Sequence, residues 1–136
     1  MYKFGNQSLE EISTIWPDGR AILHKAMSYQ VMDFGLPRDS GGRTQERQNQ
    51  LYAQGRTAPG KIITWTKNSR HIIIPELGYG FAFDVVPYIR GRYLWEEMHC
   101  AILATLIFKA ASELNLTIEW GYHLWRKDMP HFQRSK

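Results

Sequence analysis

Phe81-Ala82-Phe83-Asp84-Val85-Val86-Pro87-Tyr88 is dense in aromatic and β-branched residues and reads as a strand. Pro87, lacking an N–H, should end its pairing or confine it to an edge. Asp84 stands in the middle of this run. An unpaired carboxylate is costly to bury, and strand alternation sets Asp84 on the face opposite Phe83 and Val85. The residues leave two readings open: the side chain points to water, or it faces a cleft and binds a cation. Alternation alone favours water.

Outward from that strand the chain mixes helices and short strands. Downstream, Trp95 to Leu114 is the longest helical stretch, apolar on most of its circumference around Ile102, Leu103, Leu106, Ile107 and Phe108, as expected for a central helix buried on several sides. Asn115 can cap it, Leu116 to Trp120 returns as a strand, and Gly121 to Lys136 reads as an irregular tail rich in Trp, His, Asp and Pro. Upstream, Lys61 to Thr66 (KIITWT) is β-rich and broken by Asn68-Ser69. Thr44 opens a polar helix that Gly55 closes through a left-handed cap. Pro37 to Gly42 is a turn, and Met32 to Leu36 a short strand. Pro17 starts a helix carrying Ile22, Leu23, Ala26 and Met27, and Ser8-Leu9-Glu10-Glu11 fits a capping box ahead of it. Without βαβ regularity, this order predicts an α+β fold.

The 136 residues (15.9 kDa) suit one domain over 1–136. Seventeen Lys+Arg against thirteen Asp+Glu give a formal charge of +4, compatible with an anionic partner such as nucleic acid, a membrane surface or a cell-wall polymer. Cys100 is the single cysteine, which excludes an intramolecular disulfide, a Cys-rich zinc finger and a CxxC redox site. Ala101 to Phe108 is too short to span a bilayer, and MYKFGNQSLEEIS lacks the apolar run of a signal peptide. The expected location is therefore a reducing cytoplasm.

Of five histidines, His24 and His99 lie inside helices and His123 has no clear partner. His71 and His131 each end a polar turn beside apolar strand material, with Asp84 and Asp128 respectively as carboxylates nearby. The ordered set Ser69-Arg70-His71, Gly80-Phe81-Ala82-Phe83-Asp84 and Asp128-Met129-Pro130-His131 resembles the metal-binding signature of the M15 peptidases. That group contains the D-alanyl-D-alanine carboxypeptidases and the L-alanyl-D-glutamate endopeptidases, including small phage endolysins. Gly41-Gly42-Arg43-Thr44, followed by Glu46-Arg47-Gln48, matches the family's turn and helix start, and Glu119-Trp120-Gly121 looks like its strand end. The resemblance covers residues 16 to 133. In relatives the histidine and aspartate stand closer together, as H-x-x-G-x-A-x-D; here an insertion within Ile72 to Gly78 would loop out.

The resemblance implies a Hedgehog/DD-peptidase-like fold, a small antiparallel sheet packed against helices. It assigns His71, Asp84 and His131 as ligands of a Zn2+ ion with one position open for water, Asp128 as general base, and Arg43 as the cation that binds the substrate carbonyl or oxyanion. Ser69 is either a supporting hydrogen-bond partner or a plain turn residue, and Glu46 and Gln48 are explained as residues of a helix start. The implied substrate is a peptidoglycan stem peptide and not nucleic acid. The implied enzyme is a monomeric endolysin that cleaves L-Ala–D-Glu and waits in the host cytoplasm until released. Two alternatives stand beside it: a D-alanyl-D-alanine carboxypeptidase of the same fold, and a non-enzymatic wall- or nucleic-acid-binding module. HExxH is absent, which excludes a zincin helix.

Overall fold

The computed structural model describes residues 1–135. Two helices, α1 (Asn6–Ile12) and α2 (Pro17–Ser28), precede strand β1 (Phe34–Gly35) and helix α3 (Gln45–Ala53). A long irregular segment then leads to β2 (Ala82–Asp84), β3 (Val86–Ile89) and β4 (Arg92–Tyr93). Helix α4 (Glu97–Glu113), β5 (Ile118–Trp120), the short α5 (Gly121–Trp125) and β6 (His131–Arg134) complete the order. The α+β class holds, with the strands divided between two antiparallel sheets, β1-β3-β4 and β2-β6-β5.

The run 81–88 is therefore two strands. Val85 donates its N–H to Pro130 O (3.0 Å) and Asp84 donates to Ser40 O (2.8 Å), so the chain changes sheet at this point. Pro87 does not sit at an edge, since β3 is the middle strand of its sheet and Pro87 is opposite Phe34. Its carbonyl accepts from Leu94 N (2.8 Å) while Tyr88 N bonds Asp33 O (3.0 Å). The missing N–H thus falls on the side of β4, which is too short to need it.

The β2-β6-β5 sheet has two chemically distinct faces. Phe83 pairs with Phe132, and Phe132 with Trp120, in register. Their rings stack at centroid separations of 5.7 and 6.2 Å and form part of the core beneath α4. Because side chains alternate, the residues between them point the other way. Asp84 lies directly opposite His131, and Gln133 opposite Glu119. This polar row builds the site described below.

Several local expectations change for identifiable reasons. Ser8 is not an N-cap: α1 begins at Asn6, and Ser8 is buried, its Oγ accepting from Leu36 N (3.0 Å). Residues 61–66 are not a strand, because no neighbouring strand satisfies their backbone and Ile62, Ile63 and Trp65 are exposed. Helix α4 buries one face, on α2, β3 and β5, and leaves Met98 and Ile102 exposed, so it is not enclosed on several sides. Its end follows expectation: Asn115 is left-handed (φ 56°), with Leu116 N bonded to Ala111 O (2.8 Å) and Asn115 N to Ser112 O (3.1 Å), a Schellman cap. Gly55 is left-handed (φ 80°) but does not cap α3: the helix ends at an extended Gln54, and Gly55 N bonds Ala58 O (2.9 Å). The tail is not irregular, since it supplies α5 and the central strand β6; Lys136 lies outside the described residues.

Candidate active site

The insertion after His71 loops out as anticipated. Residues 74–79 close on themselves through Ile74 N to Tyr79 O (3.1 Å) and Gly78 N to Ile74 O (2.8 Å). Beyond this loop, Phe81 N returns to Arg70 O (2.9 Å), which sets His71 beside the end of β2 despite the long spacing. Gly80 permits that return, because a Cβ there would come within 2.5 Å of His71 O.

His71 Nε2, His131 Nδ1 and Asp84 Oδ1 converge. The two nitrogens are 3.2 Å apart, and the carboxylate oxygen is 3.2 Å from His131 Nδ1 and 3.4 Å from His71 Nε2. The remaining ring nitrogens are tied off by oxygens. His71 Nδ1–H donates to Gly41 O (2.8 Å), and His131 Nε2–H donates to Gln133 Oε1 (3.0 Å). With those protons assigned to carbonyl acceptors, two imidazole lone pairs and a carboxylate oxygen face one point. Such a set repels itself unless a metal cation, or a proton on one of the imidazoles, lies between its members. Zinc bonds of about 2.0–2.1 Å in a tetrahedron place ligand atoms about 3.3 Å apart, so the spacing fits the ion. Both imidazoles are buried.

Each ligand is oriented by its surroundings, as metal ligands require. Gln133, two residues from His131 on the same face of β6, also donates Nε2–H to Glu119 Oε1 (3.1 Å). Gly41 is clamped to α1 by Glu11 Oε1, which accepts its N–H (2.8 Å), and Gly42 to the turn after α1 by Thr14 Oγ1, which accepts its N–H (2.7 Å). Ser69 Oγ accepts the backbone N–H of His71 (3.1 Å), two residues on, the turn role of its two readings. Burial alone would raise the Asp84 pKa, but the two imidazoles hold it well below the carboxylate range. His131 is opposed by burial yet pushed up by its hydrogen bond to Asp84 and that residue's charge.

Arg43 and Asp128 line the same cleft, about 480 Å³ in volume, walled by Ile63, Trp65 and Trp125. Arg43 is buried to 13% side-chain exposure and held at two of its nitrogens, Nε by Asp39 O (2.7 Å) and Nη1 by Gln48 Oε1 (2.9 Å). Nη2 faces the ligand group, 3.8 Å from Asp84 Oδ2. Gln48 is thus more than a residue of a helix start: fully buried, it joins Arg43 to the cleft wall through Thr66 O (2.8 Å).

Asp128 is left-handed (φ 63°), a conformation aspartate tolerates. Its turn is pinned by Trp120 Nε1–H to Met129 O (2.6 Å) and by His131 N to Asp128 O (3.1 Å). Gly121 admits the turn, since a Cβ there would lie 2.3 Å from Asp128 O. Asp128 is exposed as a residue, but the cleft walls strip part of its carboxyl's hydration, and this, then the Asp84 charge, push it above its ordinary pKa against the pull of His131, His71 and Arg43. All five residues named from sequence therefore meet in one cleft. Gln48 and Gln133 were missed; the spacing His131-x-Gln133 on a strand was the readable sign of the second. His123 stacks on Phe108 (5.5 Å) and edges Trp120 (4.9 Å), away from the cleft.

The sequence model of the phage L-alanyl-D-glutamate peptidase family matches residues 1–134. The L-alanyl-D-glutamate peptidase of Escherichia phage T5 is 26% identical over 121 residues, which cover 88% of this chain and 80% of that protein. Among solved structures, the L-Ala D-Glu endopeptidase ChiX of Serratia marcescens is similar with a TM-score of 0.76 at 28% identity, over 98% of this chain and 90% of its own.

Proposed function

The chain belongs to the phage L-alanyl-D-glutamate peptidase family, and from that premise we propose how its residues cleave the L-Ala–D-Glu bond of peptidoglycan stem peptides. It is a peptidoglycan endopeptidase, with His71, Asp84 and His131 holding zinc, Asp128 as general base and Arg43 as oxyanion donor. The observation that carries the reading is the convergence of three ligand atoms within 3.4 Å in a cleft, their spare imidazole protons already bonded elsewhere.

Held by His71, Asp84 and His131, a zinc ion would acidify a water molecule and polarise the scissile carbonyl. The chain's own residues do the rest. Asp128, which lines the cleft beside the three ligands, accepts the proton of the attacking water and delivers it to the departing amine. Arg43 has Nε and Nη1 committed, so Nη2 is the donor left to meet negative charge as it develops on the carbonyl oxygen. Gln133 and Gly41 keep the two imidazoles in the tautomers that leave a lone pair for the ion. Gln133→Leu leaves the buried His131 N–H without an acceptor. It should weaken zinc binding about 10–100-fold in a chelator competition, and an unchanged affinity would remove Gln133 from this role.

The product identifies the bond. Mass spectrometry of peptidoglycan digested by the zinc-loaded protein should show stem peptides beginning at D-Glu, with L-Ala left on the glycan. Release of free D-Ala alone would instead make the protein a D-alanyl-D-alanine carboxypeptidase. The family match across 1–134 supports treating 1–136 as one peptidase domain. All five site residues come from one chain, which supports action as a monomer. Among the described residues no helix is long and apolar enough to cross a membrane. Membership of a phage family supports accumulation in the host cytoplasm until release to the wall.

A further inference from the structure

An L-Ala–D-Glu bond carries a recognition problem that the catalytic residues do not solve. The D-glutamyl residue supplies the departing nitrogen, and whichever of its carboxyls continues the peptide, the other is free and negatively charged. That charge stands only a few bonds from the nitrogen. Since Asp128 must reach the nitrogen to protonate it, the D-glutamyl carboxylate comes to rest beside Asp128, whose own charge would repel it unless a cation answers it.

Three cations line the cleft: Arg43, Arg70 and Lys127. Arg43 is committed at Nε and Nη1 and aims Nη2 at the ligand group. Arg70, on the His71 side, donates to Arg134 O (3.1 Å) and lies 5.9 Å from the Phe81 ring. Lys127 immediately precedes Asp128, is exposed, and forms no ion pair among the described residues. Its backbone lies in the turn fixed by the left-handed Arg126 and Asp128 (φ 57° and 63°). A lysine is a flexible point charge, able to follow a carboxylate without demanding bidentate geometry.

We propose that Lys127 determines specificity by binding the free carboxylate of the D-glutamyl residue on the departing side of the scissile bond. This rests on the endopeptidase reading and deepens it, since it sets the direction of the substrate: D-Glu toward Lys127 and Asp128, L-Ala toward the opposite wall. It also makes the enzyme sensitive to chemistry of the wall itself. A stem peptide in which that carboxyl is amidated is a poorer substrate.

The test compares two synthetic peptides containing L-Ala–D-Glu that differ only in whether the free D-glutamyl carboxyl is carboxylate or carboxamide, using full-length zinc-loaded protein. Wild type should prefer the carboxylate by about tenfold or more in kcat/KM, the scale of one charge-assisted hydrogen bond, with the difference mainly in KM. Lys127→Met should bring the ratio close to one, Lys127→Arg should restore it, and Arg70→Gln should keep it. Partial misfolding lowers both rates together and cancels in the ratio. Equal wild-type rates, or a preference that survives in Lys127→Met, would overturn the assignment to Lys127 while leaving the endopeptidase reading intact. Cleavage of neither peptide would overturn the endopeptidase reading, and this inference with it.

Discussion

Asp128→Asn should lose about 10²–10⁴-fold in turnover, the usual contribution of a positioned general base, while binding zinc as the wild type does. Asparagine has nearly the same shape and accepts the left-handed backbone at position 128 (φ 63°), so the turn that delivers His131 survives. What disappears is the carboxylate able to take a proton. Stability should move the other way. Partial loss of hydration in the cleft and the Asp84 charge raise the Asp128 pKa in the folded protein, a small effect because the residue is exposed. An acid whose folded pKa lies above its unfolded value favours the fold when protonated, and that contribution is lost as pH rises. At neutral pH the ionised group is therefore a burden, which Asn removes. With chelator present to exclude the compensating charge of a metal, Asp128→Asn should melt above wild type at neutral pH, and the gap should narrow as pH falls toward the raised pKa. A variant with wild-type lysis would end the assignment of the base. One less stable than wild type under chelation would show that the carboxylate is structurally favourable after all.

His131→Ala should lose metal and lysis together. The imidazole is one of three ligands and also the group through which Gln133 supports the site, so its removal costs more than the about 10–100-fold in affinity expected for a supporting partner alone. The fold should persist, because β6 is held by backbone pairing to β2 and β5 and by the Phe83–Phe132–Trp120 stack on its other face. Zinc content and lysis measured on the same preparation, with circular dichroism as the control for folding, separate the two effects. Retention of stoichiometric zinc by this variant would place the ion elsewhere.

The chemistry of the site was more legible in the sequence than the strands that carry it. His71, Asp84, His131, Arg43 and Asp128 could be named because their residue types and order resemble a family signature. The alternation argument about Asp84 was also geometrically sound: its side chain does lie opposite Phe83. The face it occupies is the cleft, and no local pattern could distinguish that from solvent, because His131, its cross-strand neighbour, is far away in sequence. The same separation hid β6. His-Phe-Gln-Arg shows no strand signature until Phe83 and Trp120 give Phe132 its stacking partners. Conversely, Lys61 to Thr66 has strong β propensity but no strand beside it, and propensity without pairing leaves a loop. Gln48 was unreadable for a further reason: a polar residue on a polar helix gives no sign that both ends of its amide will be used, one on Arg43 and one on Thr66.

The central claim is that His71, Asp84 and His131 hold the ion on which hydrolysis depends. Zinc content of the purified wild-type protein, measured before and after chelation and again after zinc is restored, with peptidoglycan hydrolysis followed at each stage, tests it most directly. The account predicts about one zinc per chain, hydrolysis lost with the metal, and hydrolysis recovered when it returns. Undiminished hydrolysis by the fully chelated protein, or failure to take up zinc on reconstitution, would contradict it.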